Sequence, residues 1–413
     1  MFVRKDNKVY IILIALTTAT FFLQYLIGRS FEYESDKSIL SACFILINIF
    51  LIIKPWSFAS ISIIENNHDK FLSFFKNILY KVLIINLVLN SSILLVVLIY
   101  LPNIAAFKAE SAYLKLYDQI PYFANVFRYA FTTQSAGYLA IPIFYYHLSR
   151  SQKREAYLAL FYSSSTLLSS FAFYSRAQMI TYVLIFVLYF FLIKKTLPLF
   201  IQRKLSRVLF KSSLLVAIIF LSVTYIRFSA LDYRFNYGDR IPQNSIIKDP
   251  VVYSLFDYAS QSHSNGLHQL DQFTADKVLN GEQFFRDIYQ ILNFFGVMNW
   301  DVKEYQDRKY EAYNDGADKF LGYTTPLVFN FGYIITFLVS ILYYLIVKNL
   351  LKRGYTKSII STLYIVLLLF IPTVSIFYTG YSLILFPLIL ILSCRILFIL
   401  TSLIKQFLGL SLN

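Results

Sequence analysis

The sequence predicts an all-α polytopic membrane protein: about ten transmembrane helices with one large, partly helical outer loop. Three observations carry that expectation. A mean hydropathy of +0.58, with 57% hydrophobic and 15% charged residues, leaves too little polar surface to cover a water-soluble domain of 413 residues. Apolar blocks recur at about eighteen residues or more, the length that crosses a hydrocarbon core of about 30 Å as helix. The short alternating segments of a closed barrel do not occur.

Met1 to Lys8 carries Arg4, Lys5 and Lys8 and precedes the apolar run Val9 to Ile27. Gly28-Arg29-Ser30-Phe31 is not a small-residue cleavage site, so this run reads as an uncleaved first span with a cytoplasmic amino terminus. Further spans are expected at about Ile39 to Ile53, Ile78 to Leu101, Tyr122 to His147 (interrupted by Arg128, Gln134 and Pro142), Ala156 to Phe173 and Ala177 to Ile193. The remainder are Val208 to Ile226, Tyr323 to Val347, Ser358 to Phe377 and Tyr381 to Leu400. An even count puts both termini on one side. No repeat with a solenoid period and no inverted pair of broken helices is visible.

The basic residues support that placement. The net charge of +15 is spread in short clusters between apolar blocks instead of forming one patch, which argues against nucleic acid as a partner. Lys54, Lys70, Lys76 and Lys81, then Arg150, Lys153 and Arg154, then Lys194, Lys195, Arg203, Lys204, Arg207 and Lys211, then Lys348, Lys352, Arg353 and Lys357 all fall in segments assigned to the cytoplasm. The Glu32, Glu34 and Asp36 loop, the Lys108 to Asp118 loop and the long segment 227–322 come out on the far side. The chain therefore divides into spans one to seven (1–226), an extracytoplasmic loop (227–322) and spans eight to ten (323–413). Cys43 and Cys394 lie within apolar spans and read as packing residues.

The segment from Arg227 to Gly322 holds fourteen of the 23 acidic residues, ten Lys/Arg, two of the four His and eighteen aromatics, so the chemistry is expected there. Asp249-Pro250 is a helix start signal, with a helix expected from Pro250 to about Gln261. Gly281 to Gly296 reads as an amphipathic helix, with Phe284, Phe285, Ile288, Ile291, Leu292 and Phe295 on one stripe and Arg286, Gln290 and Asn293 opposite. Such a helix lies in a membrane interface, where Arg286 is either merely solvated or set beside an anionic head group. Asp301 to Lys319 is dense in charge and Tyr, contains the turn signal Asn314-Asp315-Gly316, and reads as a flap or surface loop.

No nucleotide-binding loop, dinucleotide fingerprint, zinc-protease motif or paired C-x-x-C is present, and no cofactor or metal is expected. What remains is a set of arginines on the outer side: Arg176, Arg227, Arg234, Arg240 and Arg286, with Arg128 nearby in the fourth span. Guanidinium grips pyrophosphate bidentately and stays charged when partly desolvated. His263 and His268 lie five apart near Asp257 and Asp271, without a metal-ligand pattern; each suits a general base or ordinary packing. Tyr233, Tyr237, Tyr258, Trp300, Tyr310 and Tyr313 suit either sugar stacking or a small core of the loop.

With those residues in view, the chain resembles the Wzy-type O-antigen polymerases, which join lipid-linked oligosaccharide repeat units. Phe173-Tyr174-Ser175-Arg176 opens an apolar span that closes on Lys194-Lys195; the large outer loop sits late in the chain, three spans from its end; Thr324-Thr325-Pro326 and Asn330-Phe331-Gly332 lead the eighth span. Two departures stand: Asn330 occupies a place where the family commonly has an acid, and no second Gly follows Gly332 closely. The related ligases carry a His-Asn pair where this chain has Thr324 and Thr325, which favours a polymerase.

The resemblance implies metal-independent glycosyl transfer at the outer face of a bacterial inner membrane, in lipopolysaccharide, capsule or other polysaccharide biosynthesis. A glycan on undecaprenyl pyrophosphate would pass to a hydroxyl of an incoming lipid-linked unit, with a chain-length regulator and a flippase as partners. Arg176, Arg227, Arg234 and Arg286 are then the expected pyrophosphate contacts, and His263, Asp257 and Asp239 the candidates for base or acceptor orientation. The rivals are a polyprenyl-phosphate-sugar glycosyltransferase using Glu32, Glu34 and Asp36, an O-antigen ligase, a flippase or transporter of lipid-linked sugars, and a plain structural membrane protein.

Overall fold

The computed structural model describes residues 7–28, 36–59, 61, 63–65, 69–100, 123–173, 176–228, 241–294, 296–313, 321–352, 356–376 and 381–407. Among them the chain is helical apart from two three-residue strands. In order the elements are α1 (Lys8–Leu26), α2 (Asp36–Ile53), β1 (Ile63–Glu65), α3 (Asp69–Tyr100), α4 (Phe123–Thr133), α5 (Ala140–Ser149), α6 (Lys153–Ser163), α7 (Ser165–Ala172), α8 (Arg176–Ile193) and α9 (Leu199–Phe228). There follow α10 (Pro250–Asp271), α11 (Glu282–Phe294), α12 (Val302–Ala312), α13 (Thr324–Lys352), β2 (Thr356–Ser358), α14 (Ile359–Val374) and α15 (Leu385–Phe407).

Seven of these helices are long and apolar enough to cross a membrane: α1, α2, α3, α8, α9, α13 and α15. α14 is apolar but only 16 residues long. The side-chain distribution on α1 shows why membrane is the right solvent. Its buried stripe is Val9, Leu13, Thr17, Thr20 and Gln24, whereas Phe22 and Tyr25 are 60% and 71% exposed. Polar groups inward and large apolar groups outward are stable only where the surroundings are themselves apolar. The chain is an all-helical polytopic membrane protein.

Two of the ten expected spans divide into separately bounded α-helices. The stretch expected from 122 to 147 is α4, a 3-10 turn over Gln134–Leu139, and α5. Pro142 causes no break because it sits in the first turn of α5, where its missing N–H has no intrahelical partner to lose. The stretch expected from 156 to 173 divides into α6 and α7 at Ser164. There Ser163 and Ser164 turn their hydroxyls back onto the carbonyls of Leu160 and Phe161, a competition that bends helices.

The chain forms two compact units, one of residues 1–60, 206–353 and 368–382, the other of 61–205, 354–367 and 383–413. In the second, β1 and β2 pair in parallel with Ile63 opposite Thr356, Ile64 opposite Lys357 and Glu65 opposite Ser358. In the first, the polar segment 227–322 does not stand alone. Its α10 packs on α1, α2 and α13, and α11 packs on α13. A core of Ile45, Leu267, Leu270, Phe273, Leu279, Ala312, Tyr313, Leu321, Val328 and Phe329 joins this segment to α2 and α13.

The helices of the segment start where its acids allow. Asp249 accepts from the backbone N–H of Val251 and Val252, and Pro250 sits at the first helical position. α10 runs on to Asp271, ten residues beyond the expected end near Gln261, because packing on three neighbours outweighs the poor helix propensity of Ser262, Ser264 and Gly266. Asp249→Ala is expected to cost about 1 kcal/mol, read as a lower unfolding midpoint of the purified protein. Part of the expected flap, Asp301 to Lys319, is the helix α12. Asp301 caps it by accepting from Lys303 and Glu304 N–H, and Tyr305 and Ala312 are its buried anchors. The turn signal Asn314-Asp315-Gly316 lies outside the described residues.

Candidate functional site

The first unit carries most of the described candidates. α10 presents a stripe of Ser254, Asp257, Ser260, His263, Gly266 and Leu267 to its neighbours, all buried, at helical three- and four-residue spacings. Four of these are polar at successive turns: Ser254, Asp257, Ser260 and His263. A polar stripe at this depth is costly unless it is satisfied, so each partner matters.

His263 meets α1. Its Nε2 lies 3.0 Å from Thr20 Oγ1, and its ring stacks on Phe21 at 4.0 Å and 6°. The Thr20 hydroxyl proton goes to Thr17 O at 2.7 Å, so the pair is satisfied with His263 Nε2–H donating. Burial with no compensating anion lowers the imidazole from 6.5 to about 4, so it is neutral at pH 7. His268, by contrast, is on the exposed side of α10, where its Nε2 pairs with Gln272 Nε2. The two histidines do not converge on a shared ligand position.

α1 and α10 run antiparallel, since Ile246 N–H donates to Leu26 O while Thr20 meets His263. Gln24, one turn on from Thr20, is therefore level with the turn of α10 that precedes His263. It is 1% exposed, and neither amide atom has a hydrogen-bond partner among the described residues. At the other end of α10, Ser38 donates to Asp271 Oδ2 at 2.6 Å.

The side chain of Asn330 ties α11 to the start of α13 by hydrogen bonds. Asn330, fully buried, accepts the Phe284 N–H through Oδ1 at 3.0 Å and donates through Nδ2 to Gln283 Oε1 and Pro326 O at 3.1 and 2.6 Å. The backbone adds Leu279 N–H to Phe329 O and Gly281 N–H to Asn330 O. Just beyond, Gly332 takes φ 77 and ψ 173, a conformation open to glycine alone, and breaks α13 after its buried first turns. The sequence motif Asn330-Phe331-Gly332 is thus a joint, and Asn330 is the residue that composition and spacing passed over as a mere departure from a pattern. Its one signal was its position beside a glycine in an apolar run.

Arg286 is held, half-buried, on α11 two residues past the clamped Phe284. Arg176 opens α8 in the second unit and Arg227 is the penultimate residue of α9; the side chains of both, and that of Arg128 on α4, lie outside the described residues. Arg234, Arg240 and Asp239 lie outside them entirely, as do Glu32, Glu34, Tyr233 and Tyr237. Arg308 is engaged by acids: it forks onto Glu282 Oε1 and Oε2 at 2.7 and 2.9 Å and pairs with Glu304.

The aromatics sort by burial. Tyr313 stacks on Phe329 at 4.3 Å, and Trp300 packs with Tyr305 and Tyr289, so these form the core of the segment. Tyr310 is exposed and Tyr258 half-buried. No family model, curated protein or solved structure matches the chain.

Proposed function

We propose that the protein is a polymerase of lipid-linked oligosaccharide repeat units. It has ten spans, both termini in the cytoplasm of a bacterial cell, and segment 227–322 at the outer face of the inner membrane. The observation that carries this reading is the packing of α10 and α11 directly on the apolar helices α1, α2 and α13. That packing supports the reading because a substrate with a polyprenyl chain in lipid and a head group in water needs polar groups set against apolar helices.

The reaction is attack by an acceptor hydroxyl on the anomeric carbon of the donor glycan. A carbon–oxygen bond to the acceptor forms, the bond to pyrophosphate breaks, and the hydroxyl proton passes to a base. The leaving pyrophosphate gains charge as its bond breaks, and fixed cations lower that barrier. We assign Arg286, with Arg227 and Arg234 of the same unit, to this charge. Of the described base candidates we assign proton acceptance to Asp257, because the His263 ring is engaged by Thr20 and covered by Phe21. His263 then holds α10 against α1.

Purified protein incubated with a lipid-linked repeat unit is expected to give a glycan ladder that a chelator does not abolish. Arg286→Ala is expected to slow chain growth by about 10²–10³-fold, the cost of losing one charge-stabilising donor. No ladder under conditions where a known polymerase works sinks the proposal. A second reading, transport of lipid-linked sugars, is favoured by the broken helices at 134–139 and 164. Flipping in vesicles without glycan growth would support it instead.

A further inference from the structure

The second unit contains two broken helices whose breaks face each other. Thr166, in the first turn of α7, donates to Gln134 O at 2.7 Å across the gap to the 3-10 turn. A Cβ on Gly137 would stand 2.2 Å from Thr166 Oγ1, 3.0 Å from Ser163 O and 3.2 Å from Ser165 Oγ, so glycine is what lets the two breaks touch. α3 closes a further side. Asn86 Nδ2 donates to Thr133 Oγ1 at 2.7 Å and Ala130 O at 3.0 Å, and Asn90 Nδ2 donates to Asn86 Oδ1 at 2.9 Å. α8 closes another, where Tyr182 OH meets Ser163 Oγ at 2.7 Å.

On the elements that make these contacts, seven side-chain atoms have no hydrogen-bond partner among the described residues: Gln134 Oε1 and Nε2, Ser135 Oγ, Asn90 Oδ1, Ser165 Oγ, Gln178 Oε1 and Thr181 Oγ1. All six residues are at least nine-tenths buried. Unmet polar groups are expensive in protein and more so at membrane depth, and so many together call for a ligand. Six of the seven atoms are oxygens, all from neutral amides and hydroxyls. Divalent cations take carboxylates, and this set contains none. A sugar needs an open cleft, and each of these atoms is closed off from solvent. A dehydrated small cation needs only the space between its ligand oxygens.

We infer that the meeting point of the Gln134–Leu139 turn, the α6–α7 junction, α3 and α8 is a binding site for a monovalent cation of sodium size. Gln134, Ser135, Asn90, Ser165 and Thr181 supply neutral oxygens. The charge is unbalanced by any acid in the set, so the ion binds weakly and exchanges, as suits a site that answers to ion concentration. This inference does not rest on polymerase activity, since every residue named belongs to the second unit and the test reads no glycan.

The test is thermal unfolding of the full-length protein in neutral detergent, titrated with sodium chloride and, at matched ionic strength, with choline chloride. Sodium is expected to raise Tm saturably, on the order of 5 °C at a hundred times Kd, and choline is not. Ser165→Ala and Gln134→Leu are expected to remove the sodium-dependent rise. Equal curves in sodium and choline overturn the site, and so does a rise that both variants retain. Should Gln134→Leu fail to fold, the wild-type titration and Ser165→Ala decide alone.

Discussion

Gly266→Val is expected to destabilise the first unit by about 3 kcal/mol, the upper end of what overpacking a tight contact costs. A Cβ at 266 meets Thr325 Oγ1 at 2.8 Å and the backbone carbonyl of Leu321 at 3.0 Å. Thr325 can rotate away only by giving up its hydrogen bond to Gly266 O, at 3.0 Å. Leu321 O cannot give easily, because the next residue, Gly322, holds φ +67 with Ser375 O close beside it. The few tenths by which valine exceeds glycine in helix propensity do not offset this. Ser264→Val, half-buried on the same helix, serves as the control and is expected to stay within about 0.5 kcal/mol. Unfolding midpoints of the two variants decide; a Gly266→Val protein as stable as the control would show that α10 and α13 part without cost. On the polymerase reading, chain growth falls as well, since the joint that carries Arg286 starts in the same turn.

Much of this architecture is legible in the residues. Hydropathy alone locates the long helices, because a span has to be apolar over its whole length and nothing else in a chain is. Asp249-Pro250 marks the start of α10 since capping is a local interaction. The end of α10 is not local. Gly266 reads as a helix breaker until Thr325 and Leu321 are placed against it, and those residues are far away in the chain. The interruption at Gln134 is visible in the residues, but the break at 164 escapes for the converse reason: apolar averages smooth over a few Ser whose effect depends on partners across helices. His263 is the sharpest case at the site. As a residue in a polar segment it suits proton transfer, and only the ring of Phe21 and the hydroxyl of Thr20, more than two hundred positions earlier, show that it is closed in. The arginines are a different matter. Arg286 is positioned by Asn330, but Arg227 and Arg234 remain assignments from residue chemistry, because neither span ends nor spacing dictate where a long flexible side chain reaches.

His263→Phe is expected to abolish a loss of stability that the wild-type protein shows on mild acidification. In the unfolded chain the imidazole takes a proton as pH falls through 6.5, whereas in the folded protein burial delays protonation to about 4. Between those values the unfolded state binds more protons, so stability falls with pH. Its contribution is complete above pH 6.5 and gone by about pH 4, a change on the order of 3 kcal/mol. Phenylalanine keeps an aromatic face for Phe21 and cannot protonate. It loses the bond to Thr20, yet Thr20 retains Thr17 O as its acceptor, so no buried hydroxyl proton is stranded. The variant should therefore sit slightly below wild type at pH 7.5 and above it at pH 4.5, so that the two curves cross. Unfolding midpoints measured across that range test this directly. Parallel curves would mean that His263 already exchanges protons with solvent in the folded state, that α1 and α10 separate readily, and that the imidazole is available to a substrate after all.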